Sequence, residues 1–518
     1  MLMRGQSYAD MVARFRWDLP ARLNMAIQVC DGWIDRAPDR LALIDLSEGG
    51  RHEHSYRDLW TLSRRVEQAL LRHGIGRGDR VGVLLSQSVL TAAAHIAVWR
   101  IGAISVPLFK LFRQDALNSR IGDSGALLVI TDDEGRAMLA PLDIATLTGD
   151  ELPDDPATGP VTDTGPEDPA VLIYTSGTTG PPKGALHGHR LLTGHLPGVE
   201  ISHDLLGQPG DCLWTPADWA WIGGLFDVAM PGLALGVPVV AARMAKFNPV
   251  DCLSIIRQAT VRNVFFPPTA LRMLKAADAR IPGLRSVASG GEPLGAEMLD
   301  WGRAAFGVTI NEFYGQTECN MVASSCAALF PVRPGAIGRP VPGHEVAVIG
   351  SNGVRAIGEG DVAIRRGSAS MMLEYWRKPQ ATAEKFRADW MLTGDRGVIE
   401  DGYLRFVGRE DDVITSSGYR IGPAEIEDCL LKHPAVATCG VVGKPDPMRT
   451  EIVKAYVVLR DDVRVEDGLD DELMRFVSSH LASHARPREV SFIKELPMTV
   501  TGKVIRKELK ARAAEEVA

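Results

Sequence analysis

Tyr174-Thr-Ser-Gly-Thr-Thr-Gly-Pro-Pro-Lys-Gly184 stands directly behind an apolar run, Ala170-Val-Leu-Ile-Tyr174, that reads as a buried strand. Three glycines, four hydroxyls and one lysine in eleven residues make a loop whose backbone N–H groups can turn inward. With the hydroxyls and the ammonium, they suit phosphate oxygens. The string is not the P-loop G-x-x-x-x-G-K-[ST], because Pro181 and Pro182 separate Gly180 from Lys183 and a glycine follows the lysine. The bland alternative, a flexible hydrophilic hairpin, is disfavoured by the length of the string.

Working outward, the N-terminal side alternates in an α/β manner. Val81 to Leu85, Ala103 to Leu108 and Ala126 to Thr131 read as buried strands, and Leu90 to Ile101 as an apolar helix. Such alternation means a parallel sheet covered on both faces. Residues 149–169 hold seven acidic residues and no Lys or Arg among many Pro and Gly, the composition of a surface linker. On the C-terminal side, Val237 to Ala241, Val261 to Phe266 and Ser286 to Ser289 read as strands, with a helix over Thr269 to Ala277. After about residue 334 the strands shorten and the turns become Gly-rich. The pattern predicts an α/β protein: a large N-terminal body of doubly wound parallel sheets plus a β-rich subdomain, residues 1–410, and a small α+β C-terminal domain, residues 411–518.

Composition narrows the function. In 518 residues, 45% are hydrophobic and 24% charged, as in an ordinary globular chain. The 57 Lys+Arg against 65 Asp+Glu leave a net charge of -8, so no basic footprint for nucleic acid exists. Seven cysteines without a Cys-x-x-Cys pair argue against a disulfide scaffold or zinc ribbon and point to a reducing cytoplasm. Met1 to Arg16 carries Asp10 and no apolar run of signal-peptide length. The most apolar stretches are broken by His95 and Arg100, or by Asp227, Pro231 and Pro238, so no membrane span is expected.

Further motifs follow the glycine and threonine string in order: Ser289-Gly-Gly-Glu-Pro293, Asn311-Glu-Phe-Tyr-Gly-Gln-Thr-Glu318, Leu392-Thr-Gly-Asp395, Gly408-Arg-Glu-Asp-Asp412, Ser417-Gly-Tyr-Arg-Ile-Gly-Pro-Ala-Glu-Ile-Glu427 and Pro497-Met-Thr-Val-Thr-Gly-Lys503. Taken singly each has a plain reading; Thr-Gly-Asp is a common turn, and Lys503 is one lysine among many. Together, in this order over nearly the whole chain, they resemble the adenylate-forming superfamily of acyl-CoA synthetases, carrier-loading adenylation domains and luciferases. The resemblance implies ATP, Mg²⁺ and coenzyme A. It implies that Thr175, Ser176, Gly177, Thr178, Thr179, Gly180 and Lys183 meet the phosphates, with Thr178 catalytic. Gly291, Glu292, Pro293, Glu312, Phe313, Tyr314, Gly315, Gln316 and Thr317 then border the adenine and ribose, Tyr314 stacking on the base. Thr175 and Glu318 would hold Mg²⁺, and Asp395 both ribose hydroxyls, with Arg409 and Arg420 nearby. Ser417 and Gly418 would meet CoA, Asp411 would be the hinge of a mobile C-terminal domain, and Lys503 would be the catalytic cation.

The chemistry explains the residue types. A carboxylate must attack the α-phosphorus of ATP and expel pyrophosphate, so two anions meet, and cations with oriented dipoles are needed there. A thiol then displaces AMP. The segment Trp214-Thr-Pro-Ala-Asp-Trp-Ala-Trp-Ile-Gly-Gly224 lies where the family lines its acyl pocket, with Trp219, Ile222 and Gly223 as lining residues. Acetate-using relatives place a Trp before Gln-Thr-Glu, where this chain has Gly315, and a Thr and a Val where it has Gly223 and Gly290. Three small residues imply a deeper pocket, and because Phe15-Arg-Trp-Asp-Leu-Pro20 and Tyr314-Gly-Gln-Thr-Glu318 look most like the medium-chain acyl-CoA synthetases, the resemblance implies a fatty or branched acid of about medium length; aromatic and short acids are the alternatives. The likeness also implies a protein lysine acetyltransferase as a modifying partner, since Pro497 to Lys503 has the Pro-x-x-x-x-Gly-Lys spacing such members show. A carrier-loading enzyme would require a separate carrier protein, because no Gly-x-Ser attachment domain follows Lys503. A non-catalytic sensor should lack Lys503, Glu318 or Asp395. No G-x-S-x-G or H-E-x-x-H supports a hydrolase or zinc enzyme.

Overall fold

A computed structural model of the chain describes residues 2–516 apart from 3, 6, 48, 113, 176–181, 245, 410–411, 417–418, 447–448, 466–467, 482–484 and 500–502. The predicted N-terminal strands are present as Arg80–Leu84, Ile104–Pro107 and Leu128–Thr131, joined by Ala145–Leu147. They run parallel, and Pro169–Thr175 lies beside Ile104–Pro107 before turning back antiparallel as Lys183–Gly188. With Glu374–Tyr375 at the edge these make a seven-stranded sheet. The helix between the first two strands is Val89–Arg100, capped by Ser88 accepting from Thr91 N–H, and every residue from Thr91 to Arg100 is buried. That explains why the segment is apolar throughout rather than striped. Its final residue, Arg100, is wholly buried and tied to Asp31 at 2.6 Å and Glu67 at 3.6 Å, with Arg64 3.1 Å from Glu67.

A nine-stranded second sheet takes, in order, Arg339–Pro340, Cys319–Ser324, Ile310–Gln316, Ser286–Gly290, Asn263–Phe265, Leu213–Trp214, Val239–Ala241, Leu41–Asp45 and His52–Ser55. Its central strands, Ile310–Gln316 through Leu41–Asp45 in that order, pair in parallel. Residues from the start of the chain thus complete a sheet built mostly from residues after 210, and the acidic stretch 149–169 is not the loose surface linker its composition suggests. Thr164 is buried, bonded to Asn24 Nδ2 and to the Leu23 carbonyl, while Ala157 N–H reaches the Arg64 carbonyl and Thr162 N–H that of Arg100. Most of the acids face water while the backbone between them is bonded to residues 23–24 and to helices Tyr56–Arg72 and Val89–Arg100.

Shorter antiparallel strands form a third sheet, in which Gly360–Arg365 and Tyr403–Arg409 flank Trp390–Glu400. Beyond it, Ile414–Ser416, Tyr419–Ile421, Thr450–Leu459, Val436–Asp446 and Glu489–Phe492 make a separate sheet. Helices Pro423–Leu430 and Leu469–His480 bury Ile426, Leu430, Leu473 and Val477 in a core with Ile414, Val441 and Val457. Lys503 is fastened to Thr499 by two hydrogen bonds. Thr499 N–H donates to the Lys503 carbonyl, Lys503 N–H donates to Thr499 Oγ1, and helix Arg506–Glu515 follows with Leu509 and Ala513 buried.

Candidate active site

Parallel strands leave their carboxyl ends on one side of a sheet, where loops gather. Ser286–Gly290 ends at Gly290, Ile310–Gln316 at Gln316 and Pro169–Thr175 at Thr175. Around these ends the structure collects most of the described residues expected to act. Tyr314 Oη donates to Asp395 Oδ2 at 2.5 Å, and Gln316 Nε2 donates to the same oxygen at 2.9 Å and to the Thr393 carbonyl at 2.7 Å. Asp395 and Arg409 are cross-strand neighbours, and Arg409 Nη1 lies 3.7 Å from Asp395 Oδ1. Burial pushes the Asp395 carboxyl up, while Arg409, Tyr314, Lys385 and Gln316 pull it down. One carboxylate oxygen is thus engaged by two neutral donors, and the other faces a guanidinium.

Glu318 accepts from the Tyr375 hydroxyl and has Lys385 Nζ 3.9 Å away. The buried Glu318 carboxylate offers the oxygen donors that a hard cation takes, and the Lys385 ammonium beside it is the charge such an ion would have to displace or stand clear of. Thr175 Oγ1 donates to the Lys183 carbonyl at 3.3 Å, and the Lys183 ammonium lies 5.2 Å above the Tyr375 ring. Ser176, Gly177, Thr178, Thr179, Gly180, Asp411, Ser417 and Gly418 lie outside the described residues; Arg420 is placed only by its backbone pairing with Thr415.

Lys503 reaches the same place from the C-terminal segment. Gly291 has φ +101°, and a methyl group on it would lie 3.8 Å from Lys503 Cε and 3.7 Å from the Trp221 ring. The positive φ calls for glycine there, while the space beside the lysine and the ring would admit a methyl group in ordinary contact. Burial lowers the Lys503 ammonium, Glu292 and Asp395 oppose the shift, and Arg409 adds to it. Glu292 is paired with Arg272 at 2.8 Å.

Glu312 is buried beneath the site and its carboxyl is pushed up to about 8, first by burial and second by the Asp428 carboxylate of the C-terminal segment, against a bond from Leu294 N–H. Asp428 packs at the turn that carries Leu294, 3.3 Å from where a Cβ on Gly295 would stand. An unfolded glutamate titrates near 4.3, so between about 4.3 and about 8 the folded chain binds a proton that the unfolded chain has lost. Stability from this group is therefore lost as pH rises, by about 1 kcal/mol per pH unit. Glu312→Gln is expected to flatten the pH dependence of urea unfolding from about pH 6 to about pH 8. Equal slopes in the two proteins would show that Glu312 is ionised at neutral pH.

The three glycines read as a deep pocket are otherwise. A Cβ on Gly223 would fall 2.6 Å from the Trp221 ring, and one on Gly290 2.6 Å from the Phe313 ring. On Gly315 it would meet the Asn320 side chain, and Met321 N at 2.5 Å. The missing side chains are replaced by aromatic rings and backbone rather than by space. Asn320 cannot retreat: its Nδ2 donates to Asp227 Oδ1 and Oδ2 at 2.8 and 2.9 Å, and Asp227, 1% exposed, also has His195 Nδ1 at 3.0 Å. Trp219 and Ile222 are core residues of the N-terminal body, and it is Trp221, with Phe265 and Phe313 stepped beside it at 5.8 and 5.0 Å, that borders Gly291 and Lys503. The sequence reading missed Tyr375 and Lys385, and within Trp214 to Gly224 it singled out Trp219 rather than Trp221.

Comparison with known proteins agrees with this geometry. Residues 30–376 match the family model for AMP-binding enzymes, and residues 425–503 that for the AMP-binding enzyme C-terminal domain. The chain is 33% identical to the acetyl-coenzyme A synthetase of Bacillus subtilis (strain 168), over 95% of this chain and 90% of that one. A crystal structure of Brucella canis acyl-CoA synthetase covers 99% of this chain and 100% of its own at 35% identity, with a TM-score of 0.74. The anthranilate CoA ligase AuaEII, solved with anthranoyl-AMP, covers 96% of this chain and 98% of its own at 26% identity, with a TM-score of 0.88. Among the described residues no helix is long and apolar enough to cross a membrane. The chain belongs to the AMP-binding enzyme family and is an AMP-forming acyl-CoA synthetase that uses ATP, Mg²⁺ and coenzyme A.

Proposed function

We propose that this synthetase activates an apolar carboxylic acid of about medium length, fatty or branched, and that the residues gathered above divide the work as follows. Asp395, with Tyr314 and Gln316 on one oxygen, takes the ribose hydroxyls; Arg409 lies beside it. Lys503 stands between the carboxylate and the α-phosphate and offsets the repulsion as the acyl oxygen bonds to phosphorus and pyrophosphate leaves. Glu318, with Thr175, would hold the Mg²⁺ ion, which neutralises charge on the departing pyrophosphate. Lys183 and the residues 176–180 meet the phosphates. Transfer to the thiol needs Lys503 withdrawn and the adenylate exposed, which a C-terminal domain of residues 411–518 turning about Asp411 supplies, with Ser417 and Gly418 toward CoA. Acetylation of Lys503 by a protein lysine acetyltransferase would remove the charge that the first step needs. Seven free, buried cysteines suit a reducing cytoplasm.

The observation that carries the apolar acid is the wall Trp221, Phe265 and Phe313 beside Lys503. The same wall favours a second reading. Rings already cover Gly223 and Gly290, so a chain reaching past them needs Trp221 or Phe313 to turn aside, whereas a short flat aromatic acid stacked on the wall does not reach that far. Pyrophosphate release across straight-chain acids from acetate to dodecanoate, branched acids and benzoates separates them. Each methylene accepted in an apolar pocket is worth roughly 1–3 kcal/mol of discrimination. A rate that climbs to a maximum near hexanoate or octanoate is expected; a maximum at benzoates sinks the medium-chain reading.

A further inference from the structure

Lys385 lies in no motif, yet its ammonium ends among the functional groups of the nucleotide site. It caps the C-terminus of helix Pro379–Glu384, and the hairpin that follows turns it inward, with Leu392 N–H bonded to the Lys385 carbonyl at 2.8 Å. The side chain is mostly buried. Its Nζ donates to Gln316 Oε1 and to the Thr393 carbonyl, both at 3.3 Å, and stands 3.9 Å from Glu318 Oε1.

A primary amide left alone can present its oxygen or its nitrogen with little preference. Here Lys385, which can only donate, selects the oxygen of Gln316, so the nitrogen must face Asp395 Oδ2 and donate to it. Asp395 Oδ2 and the Thr393 carbonyl both accept from the amide nitrogen, and Lys385 supplies the donor on its other side; without Lys385 the Gln316 oxygen loses that donor and the amide is held from one side only. Lys385 also brings a positive charge to a buried place holding two acids. Its Nζ lies 3.9 Å from Glu318 Oε1 and Arg409 Nη1 lies 3.7 Å from Asp395 Oδ1, so each of the two acids has a cation beside it.

We propose that Lys385 is a positioning residue for nucleotide recognition: by fixing the Gln316 amide it orients Asp395 toward the ribose. The inference rests on the reading of Asp395 as the ribose-binding carboxylate. It concerns the sugar and not the acid, so its signature is selectivity for ribose over a sugar lacking one hydroxyl.

The test is equilibrium binding of ATP, 2′-deoxy-ATP and 3′-deoxy-ATP in the presence of Mg²⁺, without acid substrate, for the wild-type enzyme and for Asp395→Ala, Lys385→Met, Lys385→Arg, Gln316→Leu and the Lys385→Met/Gln316→Leu double variant. A charge-assisted hydrogen bond lost from a buried relay weakens ATP about tenfold or more. Lys385→Met is expected to show that loss for ATP and much less for the deoxy nucleotides, Lys385→Arg to recover part of it, and the double variant to be no worse than Gln316→Leu alone. Equal weakening of all three nucleotides, or losses that add in the double variant, overturns the proposal. If Asp395→Ala keeps the full preference for ATP, the ribose assignment itself falls and takes the proposal with it. A Lys385→Met protein that cannot be folded leaves Lys385→Arg and Gln316→Leu to decide: unchanged ribose selectivity in both overturns the relay.

Discussion

Replacing Lys503 by alanine is expected to abolish adenylation while leaving the transfer of an acyl group from synthetic acyl-AMP to coenzyme A close to its normal rate. The ammonium lies against Gly291 and Trp221, with Glu292 and Asp395 as its nearest electrostatic partners, and it is the cation the C-terminal segment brings to the site. Removing one such stabilising group from a water-poor site costs roughly 10²–10³-fold in rate, and more where two anions must meet. Stopped-flow pyrophosphate release reports the first step, and thioester formation from added acyl-AMP reports the second. Equal loss in both would mean that Lys503 holds the fold or the nucleotide rather than the reacting phosphate.

Gly315→Trp is expected to cripple every acid from acetate to dodecanoate to a similar degree, rather than to shorten the longest acid accepted. Even one methyl group at this position meets Asn320 and the backbone of Met321, and Asn320 is pinned by both oxygens of buried Asp227. An indole there must displace the strand Cys319–Ser324 from Ile310–Gln316, which carries Tyr314 and Gln316 to Asp395. Overpacking of this kind costs about 1–3 kcal/mol, and more when backbone must move. Gly315→Ala should already lower the melting temperature and all rates together. A variant that keeps acetate activity while losing octanoate would restore Gly315 as the end of an acyl tunnel.

That contrast shows where sequence reading stops. Strands and helices were legible because apolar runs buried on both faces leave no other solution; Ala170 to Tyr174 became Pro169–Thr175, and Thr269 to Ala277 became Pro268–Ala276. That Tyr314, Gln316, Asp395, Arg409 and Lys503 gather at one place was legible because their motifs follow the order of the family that the chain resembles. A glycine, by contrast, states that a side chain is absent and says nothing of what fills the space. Phe313 over Gly290 and Asn320 over Gly315 come from neighbours that only the sheet register brings near. Lys385 was hidden for the same reason: its environment is made by the hairpin Phe386–Arg387 with Trp390 and Met391, and by strand Ile310–Gln316 some seventy residues earlier. The acidic stretch 149–169 misled because composition reports side chains facing water, while its backbone does the packing.

Lys503 is tied by two hydrogen bonds to Thr499 and belongs to a segment with its own apolar core. If residues 411–518 turn as one body about Asp411, as proposed above, the lysine carries no conformational decision of its own and moves with them. The rate of the first reaction is then a product of two quantities, the intrinsic chemistry and the fraction of molecules arranged as here. A chain arranged this way about one time in ten would adenylate at about a tenth of the rate with an unaltered nucleotide pocket. Selection can consequently tune throughput at positions far from any reacting atom, such as the seam where Asp428 meets Gly295, without disturbing which acid is chosen. Speed and choice of substrate are written in different parts of the chain and are free to evolve apart.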